Sequence, residues 1–207
     1  SLVLLAFILG SAAMTGADHR AKAREAWIRG GVMGLSDEVR GDLRLDELGP
    51  RVLSYLARRL GARVGVAYVA EGHGVFRRFG GYALSGTPGP ERVAEGEGLV
   101  GQAAVSRQTV HARHVPAAHL EVQSGVGHSA PGELVVLPAV HNGTVQAVIE
   151  LGFFRPVQDI DLELLARASE QLAIAVRSAT SFADSPRPRP STAMTRHSVT
   201  LMPNPSE

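Results

Sequence analysis

Three groups of residues could do chemistry. The first is Gly96, Gly98 and Gly101 in GEGLVGQAA (96–104), which spell G-x-G-x-x-G. In a dinucleotide site such glycines follow a buried strand, open a helix and aim backbone N–H groups at a pyrophosphate. Here the preceding stretch, SGTPGPERVAE (85–95), is rich in Gly, Pro and charge and carries no strand pattern. Glu97 would put a negative charge inside an anion loop. Glu121, at the spacing of a ribose-binding acid, follows a Pro-Ala-Ala stretch and not a strand. The dinucleotide reading is therefore set aside.

The second group is His111, His114, His119 and His128 within HARHVPAAHLEVQSGVGH (111–128). Imidazole ligates metals and titrates near neutral pH. Yet His111 and His114 are three apart, which on a strand sends them to opposite faces, and no pair has the tight spacing of a structural zinc site. They read as solvated or hydrogen-bonded loop side chains; metal or haem ligation and polar contacts in a pocket are the other two readings. The third group is the nucleophiles. The chain has no cysteine, which removes thiolate catalysis, disulfides and thioether attachment together. Ser106, Ser124 and Ser129 lack a G-x-S-x-G elbow. Glu97 and Glu133 stand near glycines in expected loops with no nucleophile to serve. Arg77 and Arg78 could attract an anion, but on a hairpin they would cover its exposed face. No catalytic residue is expected, and the chain reads as a non-enzyme.

The elements that would position these groups follow from periodicity. LDELGPRVLSYLARRLG (45–61) places Leu45, Leu48, Val52, Leu56 and Leu60 at steps of three and four, a helical stripe. Asp46 is the expected N-cap and Gly61 the stop. ARVGVAYVA (62–70) and VFRRFGGYAL (75–84) read as strands joined by the turn EGHG. ELVVLPAV (133–140) and TVQAVIELGFF (144–154) flank His141-Asn142-Gly143, a type I′ turn signal. Val145, Ala147, Ile149, Leu151 and Phe153 should share one face of that second strand, with Gln146 and Glu150 on the other. Pro138 predicts a bulge or an edge position. TVHARHV (109–115) is one more strand. DLELLARASEQLAIAVRSAT (161–180) is a closing helix, capped by Asp161, with Leu162, Leu165, Ala166, Ser169, Leu172, Ala173 and Val176 as its seam. Helix, hairpin, irregular middle, hairpin, helix is an α+β order with an antiparallel sheet.

The 207 residues carry a formal net charge of +1, with 44% hydrophobic and 5% aromatic content. A core of aliphatic side chains follows, and no basic domain for nucleic acid. SLVLLAFILGSAAM opens the chain without a charge in residues 2–14. It reads as a membrane-helix fragment, 1–16, since a full span needs about 20 residues; a signal-peptide core and a soluble buried helix are the alternatives. Arg20, Lys22, Arg24 and Arg29 follow in a juxtamembrane helical linker, 17–34, and basic excess marks the cytoplasmic side. DSPRPRPSTAMTRHSVTLMPNPSE, with alternating prolines, reads as a disordered tail over 183–207.

Taken in order, ARRLGARVGVAYV, FGGYAL, GEGLVGQAA, the VP at 115–116, LVVLPAVHNGTVQAVIELG and LLARASEQLAIAVRSA resemble a GAF domain over residues 35–182. The resemblance is to the type found in bacterial membrane sensor and hybrid histidine kinases. It implies a central antiparallel sheet of about six strands, terminal helices on one face, and loops and short helices over the other. It implies a sensory or regulatory module, in which GEGLVGQ shapes a lid over a pocket. Phe79, Tyr82, Leu99, Val100, Val115, His119 and Leu120 would then line a small-molecule site. It also implies a homodimer through helices 45–60 and 161–180, an output domain or kinase as partner, and a cytoplasmic domain tethered to the bacterial inner membrane. The alternative is a ligand-free dimerisation and signal-transmission module. No cofactor is assigned. The Cys that anchors bilins is missing, haem and metal are not expected, and the residue set of cyclic-nucleotide-binding members is absent.

Overall fold

The computed structural model describes residues 2–84, 89–114, 122–124 and 127–184. Helix α1 (Leu2–Glu38) is continuous, joining the apolar run and the basic linker in one rod. Among the described residues no helix is long and apolar enough to cross a membrane. Then come α2 (Leu45–Leu60), β1 (Val64–Gly72), β2 (Val75–Tyr82), β3 (Arg92–Ala94), α3 (Gly98–Ser106), β4 (Val110–Arg113), β5 (Val122–Ser124), β6 (Gly127–Ser129), β7 (Glu133–His141), β8 (Thr144–Phe153) and α4 (Asp159–Asp184). One six-stranded sheet runs β3-β2-β1-β8-β7-β4, and β5 pairs with β6 apart from it. The pairs within it are antiparallel.

The two expected hairpins form at their expected turns. Asn142 and Gly143 both take positive φ, 49° and 73°, which suits the right-handed twist of the strands they join. Pro138 sits inside β7, opposite Val148. It costs no ladder bond, because β4 pairs with β7 only as far as Val136. Past that point Ser169 of α4 takes over. Its hydroxyl donates to Pro138 O at 2.7 Å and accepts from Val140 N–H at 3.3 Å.

The sheet has two different faces. On one, α2 and α4 cover Ala67, Val69, Val135, Leu137, Ile149, Leu151 and Phe153, contributing Leu53, Leu56, Leu164, Leu165 and Leu172, and α1 packs against those two helices. On the other, Val64, Val66, Tyr68, Leu134, Val136 and Val148 form a second cluster with Val100, Ala103 and Ala104 of α3. Burying each such Leu or Phe contributes roughly 1.5–3 kcal/mol, so most of the stability lies on the helix side.

Four local expectations are corrected. Asp46 is not the N-cap of α2; Arg44 holds that position without a side-chain cap, and Asp46 is held by Arg44 at 3.0 Å inside the first turn. The buried side of α4 runs through Leu164, Leu165, Ala168, Leu172, Ala173, Val176 and Ala179, whereas Ala166 is exposed. Asp161 does secure the start of α4, through Gln158 N–H at 2.9 Å. Val145 lies with the α3-side cluster, not with Ala147 and Ile149. There the register skips Gln146, pairing Ala139 with Ala147 and Val140 with Val145. A bulge reverses the phase of alternation. Finally, a short strand, β3, does precede the glycine loop, though at three residues on the sheet edge it is no buried strand.

Candidate functional site

The glycine loop leads into α3. Gly96 and Gly98 take φ of 80° and 58°, a region open mainly to glycine. Gly101 is a close approach: a Cβ there would lie 2.3 Å from Ala94 O and 2.8 Å from Gly96 N. Glu97 accepts from Ala94 N–H at 2.9 Å, and its own carbonyl accepts from Gly101 N–H. The N–H groups of Ala94, Glu97 and Gly101 are all turned to the loop itself. The motif folds a short strand tightly back onto a helix, and that helix closes the second face of the sheet.

Under α3 the floor is aliphatic, with two polar exceptions. Tyr68 is 2% exposed and Glu150 is 4% exposed. Glu150 stands opposite Val66 on β1 and Val136 on β7, in the middle of the sheet. Burial, with the Glu150 carboxylate adding to it and Arg78 opposing it, pushes the Tyr68 phenol up to about 12. Tyr68 therefore stays protonated, and its hydroxyl donates to Pro90 O at 3.4 Å. Sequence alternation places Glu150 on this face, but nothing in the local pattern marks it as the polar centre of an apolar floor.

The expected pocket residues do not converge. Leu99 and Val100 belong to the α3-side cluster. Phe79 and Tyr82 pack instead against the helix-side core, where Phe79 meets Gly49 of α2. Phe79, three residues from Phe76, faces away from it by alternation alone; for Tyr82 the cause is a bulge in β2. Tyr68 pairs with Arg78 and Ala67 with Gly80, so Phe79 is the extra residue and Tyr82 is shifted off the face that Phe76 occupies. Val115, His119 and Leu120 lie outside the described residues.

Of the histidines, His111 has a defined partner. Its Nε2 donates to Glu133 Oε2 at 2.8 Å, since an ionised carboxylate can only accept. The same oxygen accepts from Val157 N–H at 2.8 Å. Val157, then His111, hold the Glu133 carboxyl below its ordinary range. Glu133 opens β7 rather than lying in a loop, and it ties the edge strand β4 to the segment that feeds α4. His114 is exposed with φ of 60°, His119 lies outside the described residues, and His128 falls on β6. No group of three or more His, Asp or Glu among the described residues could hold a metal ion.

A model of the GAF domain matches residues 42–177. The fold is similar to the GAF domain of a phosphoenolpyruvate-protein phosphotransferase from Coxiella burnetii, with a TM-score of 0.62 and 14% identity over 75% of this chain and 96% of that one. It is also similar to a free methionine-R-sulfoxide reductase from Neisseria meningitidis, solved with its substrate (TM-score 0.56, 15% identity, 79% and 93% covered). A methyl-accepting chemotaxis protein segment, residues 122 to 287, gives 0.55 at 14% identity, with 73% and 99% covered. No curated protein matches the chain. At these identities the solved structures speak for the fold alone, and the family match covers most of the chain. With its six-stranded antiparallel sheet, three helices on one face and the glycine-led α3 on the other, this chain belongs to the GAF domain family.

Proposed function

We propose that the chain is the sensory or regulatory module of a signalling protein, reading a small molecule or a conformational change on the α3 face and relaying it through its terminal helices. One observation carries this reading: both faces are made by the same strands. Along β8, Val148 and Glu150 face α3, whereas Ile149 and Leu151 pack under α1, α2 and α4. A shift of that strand on one side must therefore be felt on the other, because close-packed side chains transmit displacement. A ligand would meet an aliphatic floor with Glu150 and Tyr68 supplying polar contacts. It must favour one helix arrangement over the other, since equal affinity shifts nothing.

The reading extends to a homodimer with α4 at its seam. The apolar side of α2 is taken up inside the chain, so helix 45–60 offers a partner only its outer, charged side. Ile174 on α4 and Met33 on α1 are large apolar side chains left 44% and 62% exposed, and they are the natural seam. The reading also takes in a membrane-tethered cytoplasmic domain joined to an output domain or kinase; the charge-free run before the basic linker supports the tether.

Native mass spectrometry of the purified chain tests this. We expect a dimer carrying a small-molecule adduct, with Ile174→Asp giving monomer. A dimer without adduct would favour the ligand-free transmission module, whose support is the well-filled aliphatic floor. A monomer without adduct contradicts both.

A further inference from the structure

Helix α1 meets the rest of the domain in an unusual way. Among its described side chains, 18–38, Ile28 and Leu35 are the large apolar ones buried to completion. Between them Gly31 and Gly34 form a notch. A Cβ at Gly31 would lie 2.1 Å from Leu164 Cδ1, and one at Gly34 would lie 2.3 Å from Tyr55 Oη. Two side chains of α2 reach into this notch and bind α1 by its backbone. Tyr55 Oη donates to Gly31 O at 2.6 Å, and Arg59 Nη2 donates to Trp27 O at 2.5 Å. The Arg59 guanidinium also lies 4.4 Å from the centroid of the Trp27 ring. Its buried Nε has no hydrogen-bond partner among the described residues. On the α4 side Gln171 binds Ser36, and Arg24, Glu25, Glu163 and Arg167 form an exposed ion-pair cluster.

These contacts have a common physical property. The carbonyls of Trp27 and Gly31 are also acceptors in the helix's own ladder. When α1 leaves, they remain paired, and Tyr55 and Arg59 gain water. The ion pairs are solvent-exposed and are individually weak. The docked segment carries Gly30, Gly31 and Gly34, residues of low helix propensity and a common cause of bends. By contrast α2 and α4 are anchored in the sheet-side core. The joint is therefore close-fitting but cheap to open.

We propose that α1 is a releasable arm, clasped at the Gly31–Gly34 notch by Tyr55 and Arg59 of α2, and that docking and undocking of this arm is the form in which the module transmits its state. The proposal rests on the relay reading above and names its moving part. Undocking swings α1 about the connection at 39–44 that joins it to α2, and leaves the sheet and its other helices folded. It also exposes Ile28 and Leu35, which sets the arm's preference for the docked state.

Trp27 is the single tryptophan of the chain and stands in the clasp, so its fluorescence reports the arm without any label. In the full chain, Tyr55→Phe and Arg59→Gln should each shift the docked-to-undocked ratio by roughly five-fold. The readout is red-shifted Trp27 emission and stronger acrylamide quenching, with unchanged far-UV circular dichroism. In urea, Trp27 should report an earlier transition than circular dichroism does. Gly31→Ala forces Leu164 aside and should release the arm further; Tyr55→Phe removes only one oxygen and keeps the test sound should Gly31→Ala misfold. Unchanged Trp27 emission and quenching in both Tyr55→Phe and Arg59→Gln, with a single coincident urea transition, would overturn the clasp. A clasp that responds to Tyr55→Phe but not to Val100→Ala under α3 would stand by itself and count against the relay.

Discussion

At Gly101 the chain is least tolerant of change. The atoms a Cβ would strike, Ala94 O and Gly96 N, are backbone, and backbone cannot rotate aside. Gly101→Ala should destabilise the module by about 1–3 kcal/mol, measured as a lower midpoint in urea, and should loosen the β3–α3 turn first. Glu133 is the second such residue. Its carboxyl is held below the ordinary value of 4.5 by Val157 N–H and then His111. A depressed carboxylate contributes stability that is complete above its unfolded pKa and is lost as pH falls through its folded pKa. Glu133→Gln should therefore lower stability by about 1–3 kcal/mol at neutral pH. The gap between the wild-type and variant melting temperatures should close as the pH is taken from 6 down past ~4. A gap independent of pH would show that Glu133 acts only through its shape.

Among the elements, the helix side of the sheet carries the load. Phe153 is fully buried beneath the helices, so Phe153→Ala should cost about 3–5 kcal/mol. Val105 on α3 is 60% exposed, and Val105→Ala should stay within about 0.5 kcal/mol. Thermal unfolding of the two variants side by side checks the contrast. The elements are also where sequence and structure are best compared. Apolar steps of three and four in 45–60 and the Asn142-Gly143 turn are local signals, and both elements stand where those signals put them. Phe79 takes the helix side by plain alternation from Phe76, whereas Tyr82 and Val145 depart from their expected faces for one reason. Each is separated by a bulge from the residues that set its phase, at Phe79 in β2 or Gln146 in β8, and a bulge arises from cross-strand register that no single strand spells out. The docking of α1 was illegible for a related reason: it is made by missing side chains, Gly31 and Gly34, which leave no period. The bond between His111 and Glu133 joins residues 22 apart in sequence, and only the pairing of β4 with β7 brings them together.

For the whole molecule, the claim is that one sheet serves two faces and that a change under α3 reaches the helices behind it. Val100 belongs to the α3-side cluster, while residues 27–36 of α1 lie on the far side of the sheet. Hydrogen–deuterium exchange of the wild type and Val100→Ala compares the two faces in one experiment. Exchange should quicken at 98–106 and also at 27–36, with β1 and β8 remaining slow in both proteins. A change confined to 98–106, leaving 27–36 as protected as in the wild type, would contradict it.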